Sequence, residues 1–437
     1  MRQRIENYLT GQATQILTIM TMIAVWVGIF YLIENPPQPN AGETVSWWGI
    51  ATNISRGYGY SLCNQYYFPF CDVANAATAM REPAPVLLFA GVARLFHESL
   101  FAAGVMELLL YVGVMVAVFH LARDWAGPLA GLLAAFGWAI YPRAFSLIPQ
   151  VSGDLLAALG VTVGILFIQR TRKSDRARDW LLAGLGLGIA SLSRSAMLVV
   201  AVTVIVGLGI ERWNLRRQIV DWLTPSLLVT AVVASLLTPW LVRTKIVFGR
   251  PLTGSSLVGY NIYRQNYMLA SNDYFRNVGT DEGWAAIQAL LARRTDLTGH
   301  ENEAQMDIVY RQEGLKIIAA NPVHYVLLSG YRFFMLWFDW RVSEAFGYLM
   351  GFNEYAMVVV QLVLMILAFI GLRGNWRALW PLWASLAMIT LAYMAVNSRL
   401  HYIVPLMPLV MSLAAEGIIR LSGIKDPRRT SYLEILV

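Results

Sequence analysis

Chemistry in this sequence falls to a small set of polar residues that border apolar runs. Glu43, in Gly42-Glu43-Thr44-Val45-Ser46-Trp47-Trp48, closely follows the first such run. A carboxylate there can cap the helix predicted over 44–56, or it can take a proton, and the local sequence leaves both roles open. Arg81 and Glu82 precede Pro83-Ala84-Pro85 at the head of another apolar run, where prolines hold the approach extended. An arginine at such a boundary often only anchors its helix by snorkelling. It is also the side chain best shaped to grip a phosphate with two parallel hydrogen bonds. Asp154 opens a run after Pro149, where an acid can cap or bind. Further on, Thr238-Pro239-Trp240 ends a run and leads through Arg243, Lys245 and Arg250 to Gly259-Tyr260-Asn261-Ile262-Tyr263-Arg264. Arg399 and His401, in Asn397-Ser398-Arg399-Leu400-His401-Tyr402, lie between two later runs. Ionisable groups at membrane depth are costly and mark candidate functional sites. Several cations gathered at one face beside Glu43 and Glu82 point to an anionic amphiphile, such as a lipid phosphate.

The elements that must position these residues are membrane helices. The 437 residues are 57% hydrophobic and 14% charged, and mean hydropathy is +0.52. Soluble domains carry roughly 45–50% apolar and ~25% charged residues. The apolar residues are blocked into runs such as 16–33, 101–119, 219–237 and 379–396. These approach the ~20 residues that cross a hydrocarbon core as helix, and continuous runs exclude a porin-like barrel. The pattern predicts helices over 14–33, 85–96, 99–121, 127–141, 153–169, 180–193, 196–210, 219–240, 323–340, 354–372, 378–396 and 402–420. The expected fold is an all-α polytopic membrane protein with about nine to twelve spans. The first run is long and is followed by Asn35-Pro36-Pro37 rather than a small-residue cleavage site, so it is expected to be retained.

The chain is expected to be one membrane domain, 1–437, interrupted by two extracytoplasmic loops, 34–85 and 243–321, that carry short helices. Net charge is +7, and all but four of the 34 basic residues are arginine. Topology accounts for them better than nucleic acid does. The stretches 170–178 and 211–217, Arg2, Arg4 and the tail 425–429 are expected in the cytoplasm. If both 85–96 and 127–141 crossed, 170–178 would fall outside, so one of the two should not cross. The stretch 322–340, with His324, Arg332 and Asp339, raises the same question. Only two cysteines occur, Cys63 and Cys71, both in the first loop. Outside the cell they can close a disulfide or stand as two thiols. No phosphate-binding glycine loop, dinucleotide fingerprint or paired His or Cys metal spacing is present. Gly127–Gly131 and Gly184–Gly188 read as close helix contacts. Asn53-Ile54-Ser55 fits a glycosylation sequon, a short match that chance also supplies.

The order of these features resembles the GT-C superfamily of polyprenyl-phosphate-sugar-dependent glycosyltransferases. Specifically, it resembles bacterial relatives of the protein mannosyltransferase and lipid A aminoarabinose transferase group. Those enzymes carry an acid after the first helix and then an Ala-x-Asn-(Leu/Ile)-x-x-Gly-x-Gly-(Tyr/Phe) stretch. Here these are Glu43 and Ala51-Thr52-Asn53-Ile54-Ser55-Arg56-Gly57-Tyr58-Gly59-Tyr60. Arg81-Glu82-Pro83-Ala84-Pro85, Asp154 after Pro149, and Leu192-Ser193-Arg194 are similar to further family features. So are the series Pro239, Trp240, Arg243, Phe248, Gly249, Gly259, Tyr260, Asn261 and the ending Arg399, Tyr402, Pro405, Pro408. The likeness runs from about residue 14 to 420. Two departures stand out: the first acid is usually Asp, and the family's large C-terminal domain has no counterpart here.

The resemblance implies a GT-C-like bundle in the cytoplasmic (inner) membrane with its active site on the extracytoplasmic face. Glu43 would be the general base. Arg81, Glu82, Asp154, Arg243, Tyr260, Tyr263, Arg264, Arg399 and His401 would bind substrate. The implied partners are a polyprenyl-phosphate-linked sugar, a glycan, lipid or protein acceptor, and membrane lipids. No cofactor is expected, with a divalent metal left open. A lipid-linked glycan transporter or flippase and an O-antigen polymerase or ligase are the alternatives, and a non-catalytic subunit with a degenerate site is a third.

Overall fold

The computed structural model describes residues 2–40, 42–174, 176–214, 219–275, 278, 280–339 and 352–423. The expected cytoplasmic tail at 425–429, residues 215–217 of the second basic stretch and residue 340 lie outside them. The first ten helices are α1 (Arg2–Glu34), α2 (Thr44–Ser55), α3 (Pro83–Leu95), α4 (Leu100–Ala126), α5 (Pro128–Ala139), α6 (Pro142–Phe145), α7 (Asp154–Ser174), α8 (Ala177–Ser193), α9 (Met197–Asn214) and α10 (Ile219–Phe248). Then follow α11 (Val258–Arg264), α12 (Thr280–Arg293), α13 (Glu303–Ala320), α14 (Pro322–Phe338), α15 (Phe352–Leu372), α16 (Trp380–Val396) and α17 (Met407–Leu421). A 3-10 turn, Leu400–Leu406, leads into α17. Extended pairing among the described residues amounts to one bridge, Ser61 with Ala77. Among the described residues, six segments are long and apolar enough to cross a membrane: Gly11–Glu34, Leu100–Ala126, Asp154–Arg172, Pro225–Phe248, Asn353–Leu372 and Leu400–Leu421.

Punctuation residues set these boundaries. Proline stands in the first turn of α3, α5, α6, α14, α16 and α17, where its missing N–H is not needed. Gly127, at φ 94°, separates α4 from α5. Pro239 does not end α10, contrary to the sequence reading, and the helix continues to Phe248. Membrane helices tolerate an internal proline, and side chains hold the continuation. Trp240 Nε1 donates to Gly254 O at 3.0 Å, and Leu252 N donates to Thr244 Oγ1 at 3.0 Å. The second polar stretch therefore begins at residue 249 rather than 243.

Small residues let the helices close on each other. A Cβ on Gly186 would lie 2.6 Å from Gly164 N on α7, and one on Gly188 would lie 2.5 Å from Leu236 Cδ1 on α10. Helix α8 is thus wedged between α7 and α10, as the glycine spacing suggests.

Helix α3 lies along α2. Arg81 at its head lies against Glu43, and Arg94 near its foot donates to Ser55 O at 3.4 Å, so α3 starts and ends against α2. Helix α4 then leaves from the same end, where Arg56 pairs with Glu98. Helix α5 is too short to cross alone, since twelve residues span about 18 Å against an ~30 Å core. It rises to mid-α4, where Trp138 Nε1 donates to Tyr111 O at 3.1 Å. The stretch 140–153 completes the return to the level of Glu107, which accepts from Ser152 N at 2.8 Å. Helix α14 also stays at one end: Tyr325 Oη donates to Ala395 O at 2.8 Å, and Arg332 reaches the same carbonyl from two turns further along. The bundle thus has a Glu43 end and a basic end. At the basic end Arg170 Nε meets Asp124 Oδ2 at 2.6 Å, Arg172 Nη2 meets Glu211 Oε1 at 2.6 Å, and Arg420 binds the Arg373 carbonyl.

Candidate active site

Helix α2 begins after a turn at Gly42, φ 50°. The Glu43 carbonyl accepts from Ser46 N and Trp47 N, while its side chain makes no capping bond. Of the two roles open in the sequence, capping is therefore not the one its geometry serves. The carboxylate is aimed at cations: Arg194 Nη2 lies 3.0 Å from Oε2 and Arg81 Nη1 3.5 Å from Oε1. Trp47 Nε1 donates to Oε2 at 3.3 Å. One third of the Glu43 side chain remains exposed, at 33%, against 2% for Asp154. Glu43 is thus the member of this acid cluster that a water-borne group can approach.

Arg194 joins the cluster from the C-terminus of α8. It clamps Asp154 with two bonds, Nε to Oδ1 at 2.8 Å and Nη2 to Oδ2 at 2.6 Å. Its guanidinium also lies 5.9 Å over the Tyr402 ring. The next residue, Ser195, donates its backbone N to Glu82 Oε1 at 2.9 Å. Arg81 is held by Ser46 Oγ at 2.7 Å and lies 5.3 Å over Trp47. Thr44 Oγ1 accepts from Val151 N at 3.2 Å and fixes the approach to Asp154. Gly153 is required for this approach, because a Cβ there would lie 2.3 Å from Ser193 O.

Electrostatics follow from this geometry. Burial alone would raise the Glu43 pKa, but the Arg194 and Arg81 guanidiniums, with a smaller contribution from His401, hold the carboxyl well below the usual carboxylate range. His401 and Tyr402 enter from the 3-10 turn that Arg399 opens, with the two rings 4.3 Å apart. Among the described residues no group of three or more His, Cys, Asp or Glu side chains is arranged to hold a metal ion.

The other expected binding residues stand apart from Glu43. Arg243 donates to Thr78 O at 3.0 Å and Tyr60 O at 2.9 Å, between the rings of Tyr60 and Trp240. Arg264 is buried and donates to Val278 O at 2.9 Å. Tyr260 and Tyr263 lie in a core shared by the two polar stretches, with Tyr310 and Ile287 from the second and Phe68 and Met80 from the first, and Tyr263 Oη donates to Ala286 O at 3.0 Å. Arg243 thus braces the first polar stretch, while Tyr260 and Tyr263 pack the two stretches against each other. Cys63 and Cys71 form a disulfide with Cα atoms 5.7 Å apart. Their loop presents Tyr66, stacked on Trp284, and Tyr67, edge-on to Tyr260. Asn53 uses its side-chain amide to bind Ser61 O at 2.7 Å.

Sequence reasoning missed Arg194 as a site residue, although Leu192-Ser193-Arg194 carried the signal. It also missed Glu107, buried behind Asp154, and offered nothing on Tyr67.

A family model described as dolichyl-phosphate-mannose-protein mannosyltransferase matches residues 81–242. No curated protein matches the chain by sequence. Among solved structures, the archaeal oligosaccharyltransferase AglB of Archaeoglobus fulgidus, in complex with an inhibitory peptide and a dolichol-phosphate, is 14% identical with a TM-score of 0.54. That match covers 96% of this chain and 54% of AglB. The Archaeoglobus fulgidus oligosaccharyltransferase tethered to an acceptor peptide containing the NVT sequon gives 13% identity, TM-score 0.54 and coverage of 96% and 53%. ArnT from Cupriavidus metallidurans bound to undecaprenyl phosphate is more distant, at 10% identity, TM-score 0.42 and coverage of 94% and 78%. The chain spans about half the length of the AglB structures. Likeness at this identity speaks for the fold alone: the chain is similar in architecture to these membrane glycosyltransferases, and the family-model match is confined to residues 81–242.

Proposed function

We propose that this protein is an inverting glycosyltransferase. It would move a sugar from a polyprenyl-phosphate donor to a glycan, lipid or protein acceptor at the Glu43 end of the bundle. The observation that carries this reading is one accessible carboxylate held between two arginines beside apolar helices. In the step, an acceptor oxygen or nitrogen bonds to the anomeric carbon, and the bond from that carbon to the lipid phosphate oxygen breaks. The phosphate leaves with the electron pair, and Glu43 takes the acceptor's proton. Negative charge grows on the phosphate, so a nearby guanidinium lowers the barrier.

Arg81 is the better candidate for that guanidinium. Arg194 is clamped by buried Asp154, whereas the Arg81 contact to Glu43 is the longer of the two, at 3.5 Å against 3.0 Å. Turning Arg81 toward a phosphate would also relieve one of the charges that keep Glu43 a weak base. Arg399 and His401 are second candidates on the same side. The basic end, with Arg123, Arg170, Arg172 and Arg420, suits the cytoplasm. We therefore assign the Glu43 end to the extracytoplasmic face of the inner membrane. The chain is then one membrane domain whose two polar stretches, 34–85 and 249–321, lie outside.

The test is Glu43→Gln in purified protein with a polyprenyl-phosphate sugar. We expect transfer to fall by about 10²–10⁴-fold, as for loss of a general base, with lipid-phosphate binding retained. Full activity in that variant would eliminate the base role.

A further inference from the structure

One buried acid links the second polar stretch to the site. Glu303 is the first residue of α13, whose start is closed by a capping box between Asn302 and Gln305. The Glu303 side chain takes no part in that cap. It reaches across to the segment before Arg81: Thr78 Oγ1 donates to Oε1 at 2.5 Å and Ala79 N to Oε2 at 2.8 Å. Ser256 Oγ donates to the same Oε2 at 2.6 Å. The segment is held from other sides too, by Ser256 N on Ala79 O at 2.9 Å and Arg243 Nη1 on Thr78 O at 3.0 Å. Met80 N donates to Thr78 Oγ1 at 3.0 Å. The next two residues are Arg81, beside Glu43, and Glu82, which accepts from Ser195 N.

We propose that Glu303 is a positioning residue: by gripping Thr78 and Ala79 it sets Arg81 and Glu82 against Glu43 and Ser195, so the second polar stretch governs turnover without touching the reacting atoms.

The grip depends on reach more than on charge. Helix α13 cannot slide to compensate for a shorter side chain, because a Cβ on Gly259 would already lie 2.0 Å from Asp307 O. Gly259 N is also bonded to Asp307 Oδ1 at 2.5 Å. An aspartate keeps the charge and loses one methylene. A glutamine keeps the length, offers its carbonyl oxygen to Ala79 N and Ser256, and turns its amide toward Thr78 Oγ1, which can accept. Burial pushes the Glu303 carboxyl up to about 7, against hydrogen bonds from Ser256, Thr78 and Ala79 N that pull it down. A neutral side chain is therefore close to what the site already accommodates.

The kinetic half of this inference rests on the transfer reaction proposed above; the grip itself does not. The experiment compares Glu303→Gln, Glu303→Asp and Glu303→Ala in the full chain. It reads kcat and acceptor KM for transfer, and backbone hydrogen exchange over residues 79–82. We expect Gln to hold kcat within about twofold, and Asp and Ala to lower it roughly tenfold at unchanged acceptor KM with faster exchange, as for a misplaced site group. In an Arg81→Ala background, Glu303→Asp should cost clearly less than it does in the wild type, because much of its effect passes through Arg81.

An equal loss in Gln and Ala would overturn the role of reach, and an additive loss in the Arg81→Ala background would reduce Glu303 to a general staple. Unchanged exchange in Asp and Ala would overturn the grip. If those two variants fail to fold, Thr78→Val and Ser256→Ala each remove one donor and should give the same pattern in graded form; normal exchange and kcat in both would overturn the proposal. Absence of transfer in the wild type would overturn the reaction reading and the kinetic half, leaving exchange to decide the grip.

Discussion

Two sets of arginines at the same end of this bundle do different work. Arg81 and Arg194 face carboxylates, Glu43 and Asp154. Arg243 faces the backbone carbonyls of Thr78 and Tyr60, Arg264 reaches that of Val278, and Arg332 reaches those of Gln265, Met394 and Ala395 together with Asn266 Oδ1. A guanidinium bound to a carboxylate can exchange one anion for another at modest cost. One bound to fixed carbonyls serves as a staple, because leaving them would strand buried acceptors. Cations on the face opposite a positive-inside end are therefore not an anion site by themselves; their partners decide.

The largest expected effect in this comparison follows removal of Arg194. Arg194→Met leaves Asp154 buried and unpaired, so thermal unfolding in detergent should show a loss of roughly 3–5 kcal/mol. Adding Asp154→Asn should restore part of it. A variant as stable as wild type would mean that Asp154 is not charged in its clamp.

Next come Arg243→Met and Arg81→Ala as a matched pair. Arg243→Met strands two carbonyls and should cost about 1–3 kcal/mol of stability, with donor lipid binding falling less than in Arg81→Ala. Arg81→Ala should do the reverse, weakening lipid-phosphate binding while unfolding shifts little. An equal loss of donor binding in Arg243→Met, measured with the same lipid, would erase the distinction between the two sets.

The smallest expected effect is on the pH profile. Glu43 is held below its ordinary range, so its share of stability is present above about pH 4.5 and is lost as pH falls through the depressed folded value. The acid limb of kcat/KM in the free enzyme should accordingly lie below the usual carboxylate range. Arg81→Ala removes one of the two charges responsible, and burial then pulls the limb upward. An acid limb that does not move would separate Arg81 from Glu43.

Much of this arrangement was legible in the sequence, for a physical reason. Glu43, Arg81, Glu82 and Asp154 stand out because an ionisable residue beside an apolar run is costly and conspicuous. Helix α2 was predicted over 44–56 and spans Thr44–Ser55. What length arithmetic could not supply was direction. Helix α3 is apolar enough to suggest a span, yet its two ends meet one partner, and only the pairs Arg81–Glu43 and Arg94–Ser55 reveal it. Arg194 hid between two apolar helices because its partners, Asp154 and Glu43, are 40 and 151 residues away. Arg243 and Arg264 drew attention by their charge, while the carbonyls that employ them carry no signal in composition.

The Glu303 contact has a consequence for the making of the protein. Its partner Ala79 lies 224 residues earlier in the chain. Chains are synthesised from the N-terminus, so Glu43, Arg81 and Glu82 emerge long before the acid that steadies them. A half-made chain can hold an exposed carboxylate and its arginines in the membrane without the brace that aligns them. If Glu303 positions Arg81 as proposed, the alignment of the early residues is completed only when the later stretch has been made.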